Sequence, residues 1–243
     1  MSKLISIWGS PNSGKTTLSV KLAEYLYRIY KASVIVVFAD YNVPSLPVVF
    51  AGDKNFDIQS VGNALSKTEI TENEVVKNIN TIKGKVNLGF VGYKQGENKY
   101  TYPEYSVQKA TAFLSVLKNL VDIVIVDCTS GLEEALSSSA IKMADTIFRI
   151  GLADLKSISF FSSVLPLYSD PSYKLSEHIT VLNQTESEPI KEIIKAESFY
   201  GKVKFKLPFS KEVKQQGIDG LMLGKARRKD YANVLKALAE QVI

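Results

Sequence analysis

The sequence predicts a three-layer α/β/α fold, in which helices cover both faces of a mostly parallel sheet of seven or eight strands. Two near-continuous apolar runs, 34–40 and 122–127, are typical of strands that are buried on both faces. Segments with helical periodicity alternate with such runs along the chain. This alternation indicates a parallel sheet wrapped by helices, with ligands bound at the carboxyl ends of the strands.

The individual elements follow from local patterns. The stretch 16–30 repeats leucine on one helical face, and the two prolines between positions 44 and 47 predict an irregular segment. Residues 92–105 are rich in glycine and tyrosine and predict a polar loop. Strands are predicted at 4–8, 34–40, 86–91, 122–127, 146–150, 178–182 and 202–207, and helices at 16–30, 56–85, 106–120, 132–142, 154–165 and 228–242.

Composition narrows the class of protein. With 243 residues, 45% of them hydrophobic, the chain is long enough to bury a core, and we expect one domain over 1–243. A single cysteine excludes an intramolecular disulfide framework, which favours a cytoplasmic location. No apolar run approaches the ~20 residues of a membrane span, so we expect any contact with a membrane or cell pole to pass through a partner.

A phosphate-binding loop is the most specific motif in the chain. It matches G-x-x-x-x-G-K-[ST] between a predicted strand and a predicted helix, where backbone N–H groups and the helix N-terminus attract phosphate. The spacing predicts that Lys15 reaches the β- and γ-phosphates of a nucleotide and that Thr16 binds Mg²⁺. The predicted nucleotide-binding residues of this loop are Gly9, Ser10, Pro11, Asn12, Ser13, Gly14, Lys15, Thr16 and Thr17.

Two acidic residues end predicted strands on the same edge of the sheet. Asp127 follows four apolar residues, as does the acid that holds the hydration shell of Mg²⁺ in P-loop proteins. Asp40 ends the second strand and could orient a metal-bound or attacking water. An isolated acid at a strand end is otherwise a turn former or a helix cap. With Lys15, these acids are the predicted catalytic residues, and with Thr16 they are the predicted Mg²⁺ site.

Three segments together resemble the MinD/ParA group of P-loop ATPases, which includes the CpaE/TadZ-type pilus-positioning proteins. They are GSPNSGKTT, VIVVFADYNVPSL and DIVIVDCTSGLEEAL, and they occur in the family's order. The resemblance implies ATP and Mg²⁺ as cofactors and slow hydrolysis to ADP and phosphate. It also implies an ATP-dependent homodimer with a protein partner in pilus or secretion positioning, or in DNA partition.

The resemblance also assigns roles to single residues. Asp40 matches the switch I aspartate, and Asp127 matches the Walker B acid. Gly131, which follows Ser130, matches switch II, whose backbone senses the γ-phosphate. Asn183 matches the asparagine that reads adenine. The segment that packs against the base is matched by Pro208 and Phe209.

The chain departs from the family pattern at two positions. Ser10 stands where the family carries a signature lysine, which reaches the partner's nucleotide across an ATP-bound dimer. Phe38 stands where many members have the first acid of a D-x-D pair. Loss of a cation that acts in trans lowers turnover by orders of magnitude in related P-loop chemistry. We therefore expect ATP binding with a low basal rate of hydrolysis.

Other functions stay open. Pro11 and the spacing from Asp40 to Pro44 are also similar to bacterial tyrosine kinases, but the C-terminal tyrosine cluster of those enzymes is missing. A different P-loop phosphotransferase and a non-hydrolysing, ATP-bound scaffold are further alternatives. Basic residues between 202 and 229 could make weak, non-specific DNA contacts, although an ordinary solvated face explains them better.

Overall fold

An eight-stranded sheet forms the centre of the molecule. The computed structural model describes residues 2–50, 57–185 and 190–243. The strand order is β3-β4-β2-β5-β1-β6-β7-β8, with β3 antiparallel to β4 and all other neighbours parallel. This confirms the predicted fold class. The strands are β1 (Lys3–Gly9), β2 (Val34–Phe38), β3 (Asn80–Ile82), β4 (Lys85–Val91), β5 (Ile123–Asp127), β6 (Thr146–Gly151), β7 (Ile179–Thr185) and β8 (Phe205–Pro208).

Helices connect the strands and cover both faces of the sheet. A π-helical turn, Leu26–Tyr30, continues the first helix, and three 3₁₀ turns between Leu165 and Glu177 follow the seventh. The α-helices are α1 (Lys15–Tyr25), α2 (Pro47–Phe50), α3 (Val61–Leu65), α4 (Glu72–Val76), α5 (Val107–Leu120), α6 (Ala135–Met143), α7 (Leu155–Val164), α8 (Ile190–Tyr200), α9 (Lys211–Ile218) and α10 (Lys229–Ala239).

Two apolar layers follow from the alternation of side chains along the strands. In β1, Leu4 and Trp8 face the layer beneath α3, α5, α6, α7 and α8. Ile5 and Ile7 face the other layer, beneath α1 and the C-terminal helices α9 and α10. Because successive side chains point to opposite faces, one strand supplies both layers. The register places Ile7 opposite Asp127 of β5 and Trp8 opposite Arg149 of β6.

The prediction of one helix over 56–85 is wrong. Residue 56 lies outside the described residues, and the rest contains α3, α4, β3 and the first residue of β4, joined by short loops. Ser60 and Thr71 each accept a backbone N–H from the turn that follows, so two separate N-caps interrupt the segment. Gly84, with φ +82°, lies in the turn between β3 and β4. The helices α8 and α9 were not predicted.

The C-terminal helix is part of the folded core. Tyr231, Leu235 and Leu238 of α10 are buried in the same layer as α1. This is the packing expected for a helix that covers the sheet. Across the described ranges, no helix has both the length and the apolar character needed to cross a membrane.

Candidate nucleotide-binding site

The glycine-rich loop leaves β1 at the carboxyl edge, between β5 and β6. Gly9 has φ +153°, and a Cβ atom there would lie 1.9 Å from the carbonyl oxygen of Ile150. Gly14 has φ +89°, and a Cβ atom would lie 2.4 Å from Nδ2 of Asn183. Only glycine combines these backbone angles with these close approaches. The two glycines therefore keep the loop open towards the start of α1.

The side chain of Lys15 folds back over the loop. Its Nζ donates to the carbonyl oxygen of Ser10 at 3.0 Å, and it lies 3.4 Å from that of Gly9. Nζ also donates to Oγ of Ser130, in the loop after β5, at 2.8 Å. Burial lowers the pKa of Lys15, while Asp127 and Asp40 act in the opposite direction. Lys15 is thus a partly buried cation whose hydrogen-bond acceptors are neutral oxygens that an anion could replace.

Among the predicted Mg²⁺ residues, Thr16 and Asp127 are in direct contact. Oγ1 of Thr16 donates to Asp127 Oδ2 at 2.6 Å, and Oγ of Ser19 lies 3.3 Å from Oδ1. Asp127 is buried, and burial raises its pKa to about 6 despite these bonds and the nearby Lys15. A nearby cation would favour the ionised carboxylate. Ser19, one helical turn after Thr16, is a site residue that sequence reasoning missed.

The oxygen donors fit Mg²⁺ held jointly with a nucleotide. Within 2–50, 57–185 and 190–243, no group of three or more His, Cys, Asp or Glu residues could hold a metal by itself. Mg²⁺ commonly takes one or two protein oxygens and completes its shell with phosphates and water. A threonine hydroxyl beside one carboxylate, Thr16 with Asp127, is a donor set of that kind. The site therefore suits Mg²⁺ that arrives with phosphate.

Asp40 occupies a different setting from Asp127. Its Oδ1 accepts the backbone N–H groups of Asn42 and Val43, at 2.8 and 3.0 Å, so the carboxylate stabilises its own loop. Its charge is close enough to act on Lys15. Of the two predicted acids, Asp127 accepts a hydrogen bond from Thr16, whereas Asp40 forms a turn. The roles of Asp40 in metal binding and catalysis stay predictions.

A cavity of about 290 Å³ lies beside the start of α1. Asn183 lines it, and its Nδ2 donates to the carbonyl oxygen of Ser13 at 2.7 Å. Pro208 and Phe209 line the same cavity, so three residues from separate segments meet beside the loop. Sequence reasoning missed further walls of this cavity, which α9, α10 and the segment between them supply. These include Lys214, Met222 and Tyr231.

Ser10 is enclosed rather than exposed at the surface. It is 1% exposed, and its Oγ lies 2.6 Å from Oγ of Ser157 in α7. Ser13 Oγ donates to the carbonyl oxygen of Ser10 at 2.7 Å, which tightens the loop. Pro11 and Asn12 form its exposed tip, where Asn12 has φ +59°. A side chain at position 10 therefore points into the protein in this conformation.

Contacts among its own residues also hold the loop after β5 in place. Thr129 Oγ1 donates to the carbonyl oxygen of Gly131 at 2.9 Å. A Cβ atom at Gly131 would lie 2.2 Å from the carboxylate oxygens of Glu133, so that carboxylate lies against the glycine. Glu134 is buried and caps α6 by accepting the N–H groups of Leu136 and Ser137. The capped helix holds this loop beside Lys15.

Similarity to known proteins extends over nearly the whole chain in structure, whereas in sequence it is confined to short segments. No protein-family model and no curated protein matches the chain. Solved structures do match it over nearly its whole length. A ParA family ATPase from Chlorobium tepidum TLS superposes with a TM-score of 0.79 and 14% identity, covering 98% of both chains.

Two nucleotide complexes are also similar in fold. MinD with Mg-ADP from Pyrococcus horikoshii OT3 has a TM-score of 0.72 and 18% identity, over 99% of this chain and 96% of that one. An ATP complex of an Asp-to-Ala variant of McdA from Cyanothece has a TM-score of 0.75 and 14% identity, over 100% of this chain and 98% of that one. The chain therefore has the fold of the MinD/ParA P-loop ATPases.

Proposed function

We propose that this protein is a Mg²⁺-dependent ATPase of the MinD/ParA type, which dimerises with ATP and hydrolyses it slowly. The observation that carries the proposal is the contact between Thr16 and the buried Asp127, beside Lys15. The Thr16 hydroxyl of the P-loop contacts the carboxylate of Asp127 on the neighbouring strand. This pair of oxygen ligands suits a nucleoside triphosphate with Mg²⁺. The similar folds of MinD with Mg-ADP and of McdA with ATP support this choice.

Each part of the proposed site has a separate task. Lys15 and the loop N–H groups bind the β- and γ-phosphates, and Thr16 with Asp127 holds Mg²⁺, which neutralises charge on the phosphates. Asn183, Pro208 and Phe209 surround the adenine in the cavity beside α1. Asp40 orients the attacking water, and the backbone of Gly131 senses the γ-phosphate.

The cellular task that we propose is positioning of pilus or secretion machinery, or of DNA, through a protein partner. The ParA, MinD and McdA folds support the class of task, and a MinC:MinD complex is among the similar structures. In the C-terminal basic stretch, Lys204 donates to Gln241 at 2.6 Å. This bond leaves Lys204 exposed and charged, so it does not decide between a protein and DNA, and we propose a protein partner because a MinC:MinD complex is among the similar structures.

Light scattering tests the proposal. The mass of the protein is measured without nucleotide, with ADP·Mg²⁺ and with ATP·Mg²⁺. We expect the mass to double only with ATP, and phosphate release to stay well below ~1 s⁻¹ without a partner. A mass that ATP leaves unchanged would contradict the dimer switch. ADP release that needs a small-molecule acceptor would identify a phosphotransferase. Tight ATP binding with turnover equal to that of Lys15→Ala would identify a scaffold.

A further inference from the structure

Lys21 is a buried cation on α1, the helix that follows the phosphate loop. It is 1% exposed. Its Nζ donates to the side-chain oxygen of Gln216 and, at 2.6 Å, to the carbonyl oxygen of Gly224. Burial lowers the pKa of Lys21 to about 8, while Glu24 and Glu212 act in the opposite direction, so the ammonium is mostly charged at neutral pH. A cation of the first helix is thus bound to two oxygens from the C-terminal part of the chain.

Both acceptors belong to one compact segment, residues 216–225, which runs from the last turn of α9 towards α10. The N–H of Leu221 donates to the carbonyl oxygen of Gln216 at 2.8 Å, and the N–H of Gly224 donates to that of Leu221 at 2.8 Å. Nε2 of Gln216 also donates to the carbonyl oxygen of Lys225 at 3.3 Å. The segment is therefore closed by its own hydrogen bonds, and the buried ammonium holds it at two points.

The 216–225 segment forms one wall of the cavity beside α1. Gly217 and Met222 line that cavity, and Met222 is buried. A Cβ atom at Gly217 would lie 2.9 Å from Cε of Met222, so these two residues are in close contact. Gln216 directly precedes Gly217, and Gly224 follows Met222 by two residues. The two oxygens that bind the ammonium therefore flank the part of the segment that lines the cavity.

The helix α1 connects this wall to the phosphate loop. Gly14 and Thr17 also line the cavity. Lys21 lies one helical turn after Thr17, so the two side chains are on the same face of α1. The helix that begins at the phosphate loop therefore also carries the lysine that binds the wall. The position of the wall relative to the loop depends on Lys21.

Packing between helices does not by itself explain a lysine at this position. Burial of a charge is costly, and replacing a buried ionic group with apolar side chains is often neutral or stabilising. An apolar residue would therefore hold α1 against the 216–225 segment equally well. A buried ammonium differs because its hydrogen bonds require acceptors at defined distances and angles. Lys21 thus selects one arrangement of the segment.

We propose that Lys21 is a positioning residue for the nucleoside part of ATP. It acts through the 216–225 segment, whose Gly217 and Met222 line the cavity that the proposed function assigns to the base. The inference rests on that proposed function and extends it to a residue that no sequence motif marks. Loss of the ammonium should weaken contacts with the nucleoside and leave contacts with the phosphates nearly unchanged.

Calorimetry with ATP·Mg²⁺ and with tripolyphosphate·Mg²⁺ tests the proposal, because tripolyphosphate lacks the nucleoside. Lys21→Met keeps a side chain of similar length without the charge. We expect it to weaken ATP binding by about tenfold, the usual cost of losing hydrogen bonds to a charged group, and to leave tripolyphosphate binding nearly unchanged. Lys15→Ala should weaken the binding of both ligands. If Lys21→Met changes neither affinity, or lowers both equally, the proposal is overturned.

Gln216→Leu tests the same contact from the other side, and it covers the case in which Lys21→Met does not fold. It removes the side-chain acceptor, and we expect ATP alone to bind about threefold or more weakly. Gln215→Leu is the matched control, because Gln215 is exposed and donates to Asp219 at 2.8 Å. Equal ATP affinity in Gln216→Leu and Gln215→Leu would show that Lys21 does not act through this segment, which contradicts the proposal.

The ratio of the two affinities distinguishes positioning from a purely structural role. A purely structural lysine would lower the free energy of unfolding on substitution and leave this ratio unchanged in the folded variant. The unchanged protein distinguishes the inference from the proposed function. Absence of ATP binding there would contradict the proposed function, and the inference would fail with it. ATP binding whose ratio to tripolyphosphate binding neither variant changes would overturn the inference alone.

Discussion

The two sides of β1 hold their polar groups in different ways. Beside β5, Lys15 contacts Ser130 and Thr16 contacts Asp127, at the carboxyl edge where an anion can replace these partners. Beside β6, Arg149 lies within the layer beneath α7 and α8 and has no acidic partner in the described chain. The first arrangement suits the exchange of nucleotide with solvent. The second makes each polar group costly unless a fixed partner satisfies it.

His178 shows the second arrangement in its satisfied form. Trp8 Nε1 donates to His178 Nδ1 at 3.2 Å, and His178 Nε2 lies 2.8 Å from the carbonyl oxygen of Tyr173. Both ring nitrogens have partners only if the ring is neutral, with the proton on Nε2. Burial lowers the pKa of His178 to about 4, in agreement with a neutral ring. On the β6 side, adding a positive charge to the buried ring of His178 is therefore unfavourable.

The largest expected effect is on the β5 side. Lys15→Ala removes the cation that the loop presents to phosphate, and we expect ATP affinity to fall by about 100-fold or more. Isothermal calorimetry with ATP and Mg²⁺ measures this affinity. Lys77→Ala removes an exposed lysine of the turn after α4 and serves as the control. Unchanged affinity in Lys15→Ala would contradict the nucleotide site.

Substitution of the two acids separates their roles. Asp127→Asn should lower turnover by about 10–100-fold, the usual cost of disturbing a group that supports a metal. Because burial raises the pKa of Asp127 to about 6, the neutral amide should also stabilise the nucleotide-free protein at pH 7, by about 1–2 kcal/mol. Turnover assays and thermal melting measure these two effects.

Asp40→Asn provides the matched comparison, because an asparagine oxygen can still accept the N–H groups of Asn42 and Val43. We expect lower turnover with ATP affinity nearly unchanged. Asp40→Ala should additionally loosen the loop. If Asp40→Asn keeps full turnover and only Asp40→Ala loses it, the aspartate is a turn former.

Lysine at position 10 tests whether the β6 side tolerates a new charge. Ser10 is enclosed against Ser157, so Ser10→Lys should lower the free energy of unfolding by about 2–3 kcal/mol without raising turnover. Ser10→Ala, which only removes the hydroxyl contact, should cost about 1 kcal/mol. Urea denaturation measures both. Faster ATP hydrolysis in a stable Ser10→Lys protein would show that position 10 can reach a partner's nucleotide.

The pH dependence of His178 concerns stability alone and not the nucleotide site. Its folded pKa of about 4 lies below the ordinary histidine value of 6.5, so the unfolded chain binds the proton more tightly. Stability is therefore lost as pH falls, by about 2 kcal/mol between pH 7 and pH 5. In His178→Gln, which can bond to the same partners, this part of the dependence should disappear. A pH profile from urea denaturation that the substitution leaves unchanged would show that the pKa of His178 is the same in the folded and unfolded states.

Local signals explain which elements were predictable. Buried parallel strands are continuous apolar runs, so β2 and β5 could be located without knowledge of their neighbours. The N-caps at Ser60 and Thr71 use common residues that also occur in loops, so the pattern over 56–85 wrongly predicts a single helix. β3 has three residues and depends on its antiparallel pairing with β4, which no local pattern records.

The glycine-rich loop could be located from the sequence alone, because its residues are contiguous and Gly9 and Gly14 meet local requirements of backbone angle. The sequence also determined the alternation of strands and helices, since burial on both faces leaves an apolar run. The tertiary structure was needed to show that Asp127 contacts Thr16, that Asp40 caps its own loop and that Ser10 is enclosed. It alone brings Lys21 to Gln216 and Gly224. Contacts between residues far apart in the chain depend on strand register and helix packing, which no short segment encodes.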